Sequence, residues 1–403
     1  MPVTRRSLIT TTAAGIAAYP LTLPVIASAK QSSPASATPV ADQSDLESRL
    51  NTAMDAHRIP GAIVLIDSPE TGTWSAALGA ANIETGEPMT TDMYMRIASI
   101  TKTFTSTMIL QLVDQGALTL DDTLASLLPD QADLPNADTI TVRHLLTMQS
   151  GLPDYVGTNE VLAASMDPAK VDEDYTAAEL LEYIKGEPAL FGPGEMGMYS
   201  NTNYLILGAI ADEVTGSSWQ ELIQTGILDE LGLAQTMIPG GPDIPTPSPR
   251  GYFYATEPAT PAASPEAGVI SATPVSATAN PGPIDVTRIN TSIPASAGAM
   301  ISTVTDLLTW MTAIRDGALL SPELHEARMS FTDAADLAPD MKYGLGIVQV
   351  NGAIGHDGGI EGFRSSMFYV PDSETTIITL ANVIPAEDGS DPAGILMETL
   401  VGA

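Results

Sequence analysis

The sequence has 403 residues, 44% hydrophobic and 5% aromatic, which is enough for one large domain or two ordinary ones with a sizeable core. No apolar run reaches the roughly 18 residues that a membrane helix needs, so we expect a soluble mature protein without membrane insertion. The net charge of −33 disfavours nucleic acid and anionic membrane surfaces as partners, and the absence of cysteine excludes disulfides and a lipoprotein anchor.

The N-terminus has the features of a targeting segment. The pair Arg5-Arg6 precedes a weakly apolar stretch, residues 8–19, and Ala27-Ser28-Ala29 offers a small-x-small cleavage site. This pattern predicts a twin-arginine export signal over residues 1–29 and an extracytoplasmic or secreted protein. Its removal leaves 14 basic against 49 acidic side chains, a net charge of −35. A disordered N-terminus with a chance Arg-Arg pair is the alternative.

After the signal, residues 30–43 are rich in Ser, Pro and Ala, which predicts a disordered linker before a folded domain over residues 44–403. Apolar residues at helical spacing predict a first helix over Asp45 to His57. Two apolar runs, residues 61–66 and 74–81, predict strands that are separated by a turn-rich segment.

The middle of the chain, from Ser99 to Leu233, is mostly helical in pattern and predicts a helical subdomain at about residues 105–235. The next segment, about residues 239–283, has 11 prolines in 45 residues, which predicts a flexible insertion or a lid. Further elements are expected in the C-terminal part: helices over 305–315 and 392–401, and strands over 343–350, 353–356, 364–369 and 375–381.

Strands at both ends of the chain with helices between them indicate an α+β fold. We expect an antiparallel sheet built from N- and C-terminal segments and flanked by helices, with an all-helical subdomain inserted.

The first group that can do chemistry is Ser99-Ile100-Thr101-Lys102, at the start of an apolar-faced helix. Residues three apart on a helix share a face, so the Ser99 and Lys102 side chains can touch. A serine hydroxyl is a weak nucleophile until a neighbour takes its proton, and a desolvated lysine can do so. Only five lysines occur in the chain, and no other has serine three residues before it. A helix-capping serine beside a surface lysine is the alternative.

Two further groups carry suitable side chains. Tyr199-Ser200-Asn201 follows a Gly/Pro-rich loop and precedes a helix, where a phenol can relay a proton and an amide can hold a substrate carbonyl. His356-Asp357-Gly358-Gly359 ends an apolar strand, where glycines allow close backbone approach to a substrate. Taken singly, these could be a buried tyrosine with a capping asparagine, and a glycine-rich turn with an exposed histidine.

The three groups in this order resemble the class C β-lactamase and DD-peptidase superfamily of serine hydrolases, which also contains esterases and D-aminopeptidases. The flanking segments, residues 94–98, 141–152 and 199–208, match as well, and the resemblance extends over about residues 45–400. It implies a β-lactamase/transpeptidase-like fold and a hydrolase acting through a Ser99 acyl-enzyme on an amide or ester, be it a D-amino-acid peptide, a β-lactam or a carboxylic ester.

The resemblance also implies roles for individual residues. Lys102 and Tyr199 would share the general base and acid roles, and Asn201 would orient the substrate amide. His356 would support Tyr199 electrostatically. The backbone N–H groups of Ser99 and Gly359 would form an oxyanion hole, with Gly358 beside it.

One position departs from the pattern of the family. Many penicillin-binding members have threonine or serine where this chain has Asp357, next to a positive group that receives the substrate carboxylate. An aspartate there would repel a carboxylate unless it is paired with Arg364 or protonated. This substitution predicts a neutral ester or amide, or a substrate with a free amine, in preference to a β-lactam or a D-Ala-D-Ala peptide.

Other candidate residues lack a chemical pattern. His57, His144 and His325 do not have metal-ligand spacing, and Asp121-Asp122 and Glu195 are typical of a helix start and a loop. No cofactor or metal is expected, only a small-molecule or peptide substrate. Two other functions stay open: a non-catalytic penicillin-binding-like cell-wall sensor, and a structural surface protein.

Overall fold

The computed structural model describes residues 43–165, 167–254, 282–334 and 341–401. The predicted export signal 1–29, the linker up to residue 42 and the central part of the predicted insertion, residues 255–281, lie outside the described residues. Gln43, which we expected in the linker, is already part of the first helix.

The described residues form thirteen strands and thirteen α-helices. The strands are β1 (Gly61–Ser68), β2 (Gly72–Asn82), β3 (Glu87–Pro88), β4 (Met95–Arg96), β5 (Tyr252–Phe253), β6 (Ile284–Asp285), β7 (Ile301–Ser302), β8 (Thr332–Asp333), β9 (Met341–Tyr343), β10 (Val348–Val350), β11 (Ala353–Ile360), β12 (Phe363–Val370) and β13 (Thr375–Ala381). The helices are α1 (Gln43–His57), α2 (Thr101–Asp114), α3 (Leu124–Leu127), α4 (Val142–Leu146), α5 (Asn159–Ser165), α6 (Ala177–Leu181), α7 (Asn201–Thr215), α8 (Trp219–Ile223), α9 (Asp229–Leu231), α10 (Ala295–Gly298), α11 (Val304–Asp316), α12 (Pro322–Arg328) and α13 (Pro392–Val401).

Nine strands make one antiparallel sheet in the order β3-β2-β1-β13-β12-β11-β10-β9-β8. The N-terminal strand β1 pairs with the C-terminal strand β13, with Val64 opposite Thr379, so the two ends of the chain complete one sheet. Most of the helices lie between them in sequence, from α2 to α9. The α+β prediction, with its terminal sheet and inserted helices, is confirmed.

The sheet is covered on both faces, which explains why β1 is a continuous apolar run rather than an alternating one. Ala62 and Val64 pack in one cluster with Leu50 of α1 and Leu396 of α13. Ile63 and Leu65 belong to the other, larger cluster, which contains the helical region. Successive residues of β1 therefore point into two different cores, as the period of two in a strand requires.

The prediction that the whole of 239–283 is flexible is wrong at its edges. Residues 239–254 are described, and Tyr252 and Tyr254 are buried among residues of the α1/α13 cluster. Strand β5 pairs with β6, and Tyr252 N donates to Asn382 O beside the main sheet. The high proline content predicted flexibility, although Tyr252 and Tyr254 can pack into the core.

Two properties bear on function. No helix among the described residues has the length and apolarity needed to cross a membrane. The same ranges contain no cluster of three or more His, Asp or Glu side chains arranged to hold a metal ion.

Candidate active site

Ser99 lies in a short 3-10 turn, Ala98–Ile100, that leads directly into α2. Ala98 has a φ of 47°, in the left-handed region that side chains other than glycine rarely adopt. The strained turn is held between two neighbours: the N–H of Ile97 donates to Met300 O, and Ser365 Oγ of β12 donates to Ile97 O. The nucleophile predicted from the sequence is thus fixed by contacts on both sides.

Lys102, the second residue of α2, is completely buried, and its Nζ has three oxygen neighbours. Nζ lies 3.0 Å from Ser99 Oγ, 2.8 Å from Asn201 Oδ1 and 2.8 Å from the carbonyl oxygen of Ala297. Burial lowers the pKa of Lys102 to about 7, although the carboxylates of Asp154 and Asp357 act in the opposite direction. A substantial fraction of free amine therefore exists at neutral pH.

The three neighbours dictate where the lone pair of that amine points. The oxygens of Asn201 and Ala297 can only accept hydrogen bonds, so they take the two N–H groups of a neutral lysine. The remaining lone pair then faces Ser99 Oγ, which can donate its proton. This is the arrangement that a general base for Ser99 requires.

Tyr199 closes the group from the other side. Its hydroxyl donates to Ser99 Oγ at 2.7 Å, and its ring centroid lies 4.8 Å from Lys102 Nζ. Burial raises the pKa of Tyr199 well above its ordinary value, so the phenol keeps its proton. Lys102 thus has the properties of the base and Tyr199 those of the acid, a division that the sequence alone left undecided.

Asn201 is the first residue of α7 and lies between two charged groups. Its Oδ1 accepts from Lys102, and its Nδ2 donates to Asp154 Oδ2 at 2.9 Å. The substrate-orienting role expected for Asn201 is therefore shared with a second task, holding the lysine. Asp154, a half-buried residue three positions after Gly151, was not among the predicted site residues.

Strand β11 brings its glycines against the nucleophile. A Cβ on Gly358 would lie 2.8 Å from Ser99 N, so no larger residue fits there without a shift. Gly359 is exposed, and β10 pairs with β11 only as far as Gly355. The edge of β11 beside Ser99 is open on that side within the described chain, as a strand that pairs with substrate backbone must be.

His356 does not have the role that the resemblance implied. Its Nε2 lies 2.9 Å from Tyr343 OH and its Nδ1 contacts the carbonyl oxygen of Asp357, with the ring fully buried. Burial lowers the pKa of His356 to about 4, so the imidazole is neutral at pH 7. A neutral ring bonded to Tyr343 supplies no positive charge to Tyr199, and the expectation of electrostatic support is corrected.

Asp357, which we expected to bind substrate, is paired with Arg364, the condition under which we expected no repulsion of a substrate carboxylate. Its carboxylate is buried, and Oδ2 lies 2.6 Å from Nη2 of Arg364, which in turn makes two bonds of 2.7 Å to Asp391 at the start of α13. Successive strand residues point to opposite faces, and Gly358 faces Ser99, so Asp357 points away from it. The argument against a substrate carboxylate, which rested on Asp357, does not hold.

The sequence model of the Beta-lactamase family matches residues 46–397. The chain belongs to this family. Penicillin-binding protein 4* of Bacillus subtilis is 26% identical over 347 residues, 84% of this chain and 71% of that protein. A D-aminopeptidase of Brucella anthropi is 32% identical over 192 residues, 48% of this chain and 35% of that protein. The chain spans about half the length, or less, of most of these curated relatives.

Several solved structures superpose over most of the chain. A D-stereospecific amidohydrolase from Streptomyces sp. matches with a TM-score of 0.75 and 26% identity, covering 90% of this chain and all of that one. The D-amino acid amidase from Ochrobactrum anthropi SV3 matches with a TM-score of 0.73 and 26% identity, over 89% and 97% of the two chains. The resemblance is confirmed, and the chain is a serine hydrolase of a family that acts on amides and esters.

The remaining histidines have structural contacts in this family member, as their spacing suggested. His57 Nδ1 lies 2.7 Å from Asp388 Oδ2, and His144 Nδ1 accepts from the N–H of Thr141 at the start of α4. His325 is on α12, with a pKa lowered by burial. None of the three contacts the Ser99 group.

Proposed function

We propose that the chain is an exported serine hydrolase that forms an acyl-enzyme on Ser99, with amides of D-amino acids as its substrate class. The observation that carries the catalytic part is the contact of Ser99 Oγ with both Lys102 Nζ, at 3.0 Å, and Tyr199 OH, at 2.7 Å. One neighbour has a lowered pKa and the other a raised one, so a base and an acid flank one nucleophile.

Acylation follows from these positions. Ser99 Oγ attacks the substrate carbonyl carbon while its proton moves to Lys102 Nζ, and the backbone N–H groups of Ser99 and Gly359 receive the developing oxyanion. The bond to the leaving group then breaks, and Tyr199 gives its proton to the departing amine or alkoxide. The proton on Lys102 restores Tyr199, which leaves a neutral lysine.

Deacylation repeats the sequence with water as the nucleophile. Lys102 takes a proton from the water as it attacks the acyl carbon, and the ester bond to Ser99 breaks. The serine oxygen regains its proton from the Lys102 and Tyr199 pair. Every group returns to its starting protonation state, so no cofactor is required by this scheme.

The substrate class is supported by the likeness to the D-stereospecific amidohydrolase over its entire length. The pairing of Asp357 with Arg364 removes the expected obstacle to a substrate carboxylate, which keeps D-Ala-D-Ala peptides among the candidates. We rank D-amino-acid amides first, D-Ala-D-Ala peptides second, and simple esters and β-lactams after them.

Covalent labelling tests the nucleophile. A fluorophosphonate probe is expected to label the purified chain and to fail with Ser99→Ala, whereas Ser68→Ala, at the half-buried last residue of β1, should label like the parent. Labelling that survives Ser99→Ala would refute the acyl-enzyme on this residue. Labelling without turnover of any amide or ester would instead favour the non-catalytic cell-wall sensor.

A turnover panel tests the substrate class. We expect D-alanyl p-nitroanilide to be cleaved faster than its L-enantiomer, and faster than a p-nitrophenyl ester, a D-Ala-D-Ala peptide or a chromogenic cephalosporin when each is compared by kcat/KM. Preference for the L-anilide, or a cephalosporin as the fastest substrate, would contradict the proposed class while leaving the role of Ser99 intact.

Export is supported by Arg5-Arg6 and the Ala27-Ser28-Ala29 site alone. Replacing both arginines with lysine should retain the full-length precursor inside a bacterial host that has the twin-arginine route. An unchanged distribution between cytoplasm and exterior would contradict export by this route.

A further inference from the structure

The carboxylate of Asp154 is hydrogen-bonded to Asn201. It lies on the side of the Asn201 amide that faces away from Lys102. Asp154 lies in the loop after α4 and caps a 3-10 turn, Tyr155–Gly157, by accepting from Val156 N at 3.1 Å with Oδ1. Its other oxygen, Oδ2, accepts from Asn201 Nδ2 at 2.9 Å. The two oxygens thus have separate partners, one structural and one in the site.

The loop and the start of α7 are fixed to each other on both sides of this contact. Thr202 Oγ1 donates to Pro153 O at 2.6 Å and accepts from Tyr155 N at 3.1 Å. Thr202 therefore contacts the residues immediately before and after Asp154, so the backbone that carries the carboxylate cannot move away from α7 without breaking these bonds.

An ionised carboxylate can only accept hydrogen bonds, whereas the two ends of an asparagine amide are chemically opposite. The NH₂ end of Asn201 must face Asp154, which leaves its oxygen facing Lys102. If the amide were reversed, its NH₂ group would point at Lys102 and would compete with Ser99 for the lysine lone pair. The orientation of one amide thus decides whether Lys102 can act as a base for Ser99.

We propose that Asp154 is a positioning residue that locks the Asn201 amide in the orientation that directs the Lys102 lone pair at Ser99. This inference rests on the proposed function, since it assigns Asp154 a task in the same acylation step. Asp154 contacts neither the nucleophile nor the reacting carbonyl, and it acts through Asn201.

The charge of Asp154 also affects the pKa of Lys102, and this effect distinguishes a positioning role of Asp154 from a purely structural one. The ionisable groups around Lys102 are Asp154, Asp357, Tyr199, Tyr204 and His356. The negative charge of Asp154 raises the pKa of Lys102 against the larger effect of burial. Removing that charge must therefore shift the pKa of Lys102 downward, and with it the acid limb of the rate against pH.

The test is Asp154→Asn in the full chain, measured as the rate constant of Ser99 labelling by a fluorophosphonate between pH 5 and 9. Asparagine caps turns as well as aspartate, so the turn at Val156 is retained while an NH₂ group can oppose that of Asn201. We expect the plateau rate to fall about 10- to 100-fold, less than the roughly 10²- to 10⁴-fold expected when the general base itself is removed, and the acid limb to move to lower pH.

Two controls make the outcome decisive. Asp167→Asn replaces an aspartate that caps Ala169 N at 2.9 Å in the same i, i+2 manner but away from the site, and it should leave both the plateau and the limb unchanged. Asp154→Ser keeps an oxygen that can cap the turn, but its side chain is too short to hold Asn201. It should lower the plateau per folded molecule like Asp154→Asn, and it takes the place of that variant if Asp154→Asn folds poorly.

A double-mutant cycle with Asn201→Ala tests whether Asp154 acts through the Asn201 amide. If Asp154 acts through the amide, Asp154→Asn should cost little additional plateau rate in the Asn201→Ala background, while the shift of the limb should persist. A plateau within about threefold of the parent, or a loss that only tracks the folded fraction with an unmoved limb, would overturn the proposal. Loss of the Ser99→Ala effect on labelling would instead refute the proposed function itself.

Discussion

Lys102 and Arg364 are two cations buried on opposite sides of strand β11, and their surroundings differ in one respect. Nζ of Lys102 has only neutral oxygens within hydrogen-bond distance, from Ser99, Asn201 and Ala297. Arg364 lies between two carboxylates, those of Asp357 and Asp391. Burial would lower the pKa of both cations, but the carboxylates raise that of Arg364 while Lys102 falls to about 7.

The difference shows that the charge of the nearest partners determines what a buried cation can do. A lysine with neutral partners is unstable as an ion and gives up its proton readily, which makes it a base. An arginine between two carboxylates keeps its charge and ties β12 to the start of α13. One side of β11 therefore serves proton transfer and the other serves stability.

The largest effect is expected from removing the lysine. Lys102→Met should lower kcat/KM by about 10²- to 10⁴-fold, because the base for Ser99 is lost. It should leave the free energy of unfolding in urea unchanged or raise it, since a buried amine without a carboxylate partner is replaced by an apolar side chain. Lys342→Met, at the exposed position of β9, is the matched control and should change neither quantity.

Removing the arginine should have the opposite profile. Arg364→Met leaves the carboxylates of Asp357 and Asp391 buried without a cation, and the free energy of unfolding should fall by about 3–5 kcal/mol. The folded fraction should still form the acyl-enzyme on Ser99. A variant that keeps its stability but loses the labelling rate per folded molecule would show that Arg364 belongs to the catalytic side.

The fold was largely predictable because its elements have regular patterns. The apolar run of β1 and the helical spacing of apolar residues in α1 reflect burial on defined faces, so the positions of the apolar residues indicate the type of element directly. The segment 239–254 was not, because proline content indicated disorder where Tyr252 and Tyr254 enter the core. Amino-acid composition describes a segment as a whole, whereas the burial of only two of its side chains is enough to hold the backbone in one conformation.

The site was predictable to the extent that its groups are side chains in short motifs. Ser99, Lys102 and Tyr199 were found in this way, and the structure brings them into contact. The carbonyl of Ala297 has no residue-specific signal, and Asp154 is joined to Asn201 across 47 positions. A strand signal was overlooked, however: the alternation of β11 puts Asp357 on the face opposite Gly358.

The contrast between Lys102 and Arg364 also predicts which group controls the pH dependence of kcat/KM. The expected change is smaller than the effect of either substitution. The pKa of Lys102 is about 7 and that of His356 about 4, so only the lysine titrates near neutral pH. Ser99 needs the free amine, hence kcat/KM should rise about tenfold per pH unit below pH 7 and level off above it. Measured between pH 5 and 9, the rate should fit a single ionisation on this limb.

His356→Gln separates the two candidates for that ionisation. Glutamine can still accept from Tyr343 OH but has no titrating ring, so the limb should stay near pH 7 while the plateau changes by no more than about tenfold. If the limb disappeared in this variant, the imidazole would be the titrating base and its burial against Tyr343 would not describe the active protein. If it stayed, the neutral partners of Lys102 would be the reason that this family member works at neutral pH, because no other group in contact with Ser99 Oγ loses a proton in that range.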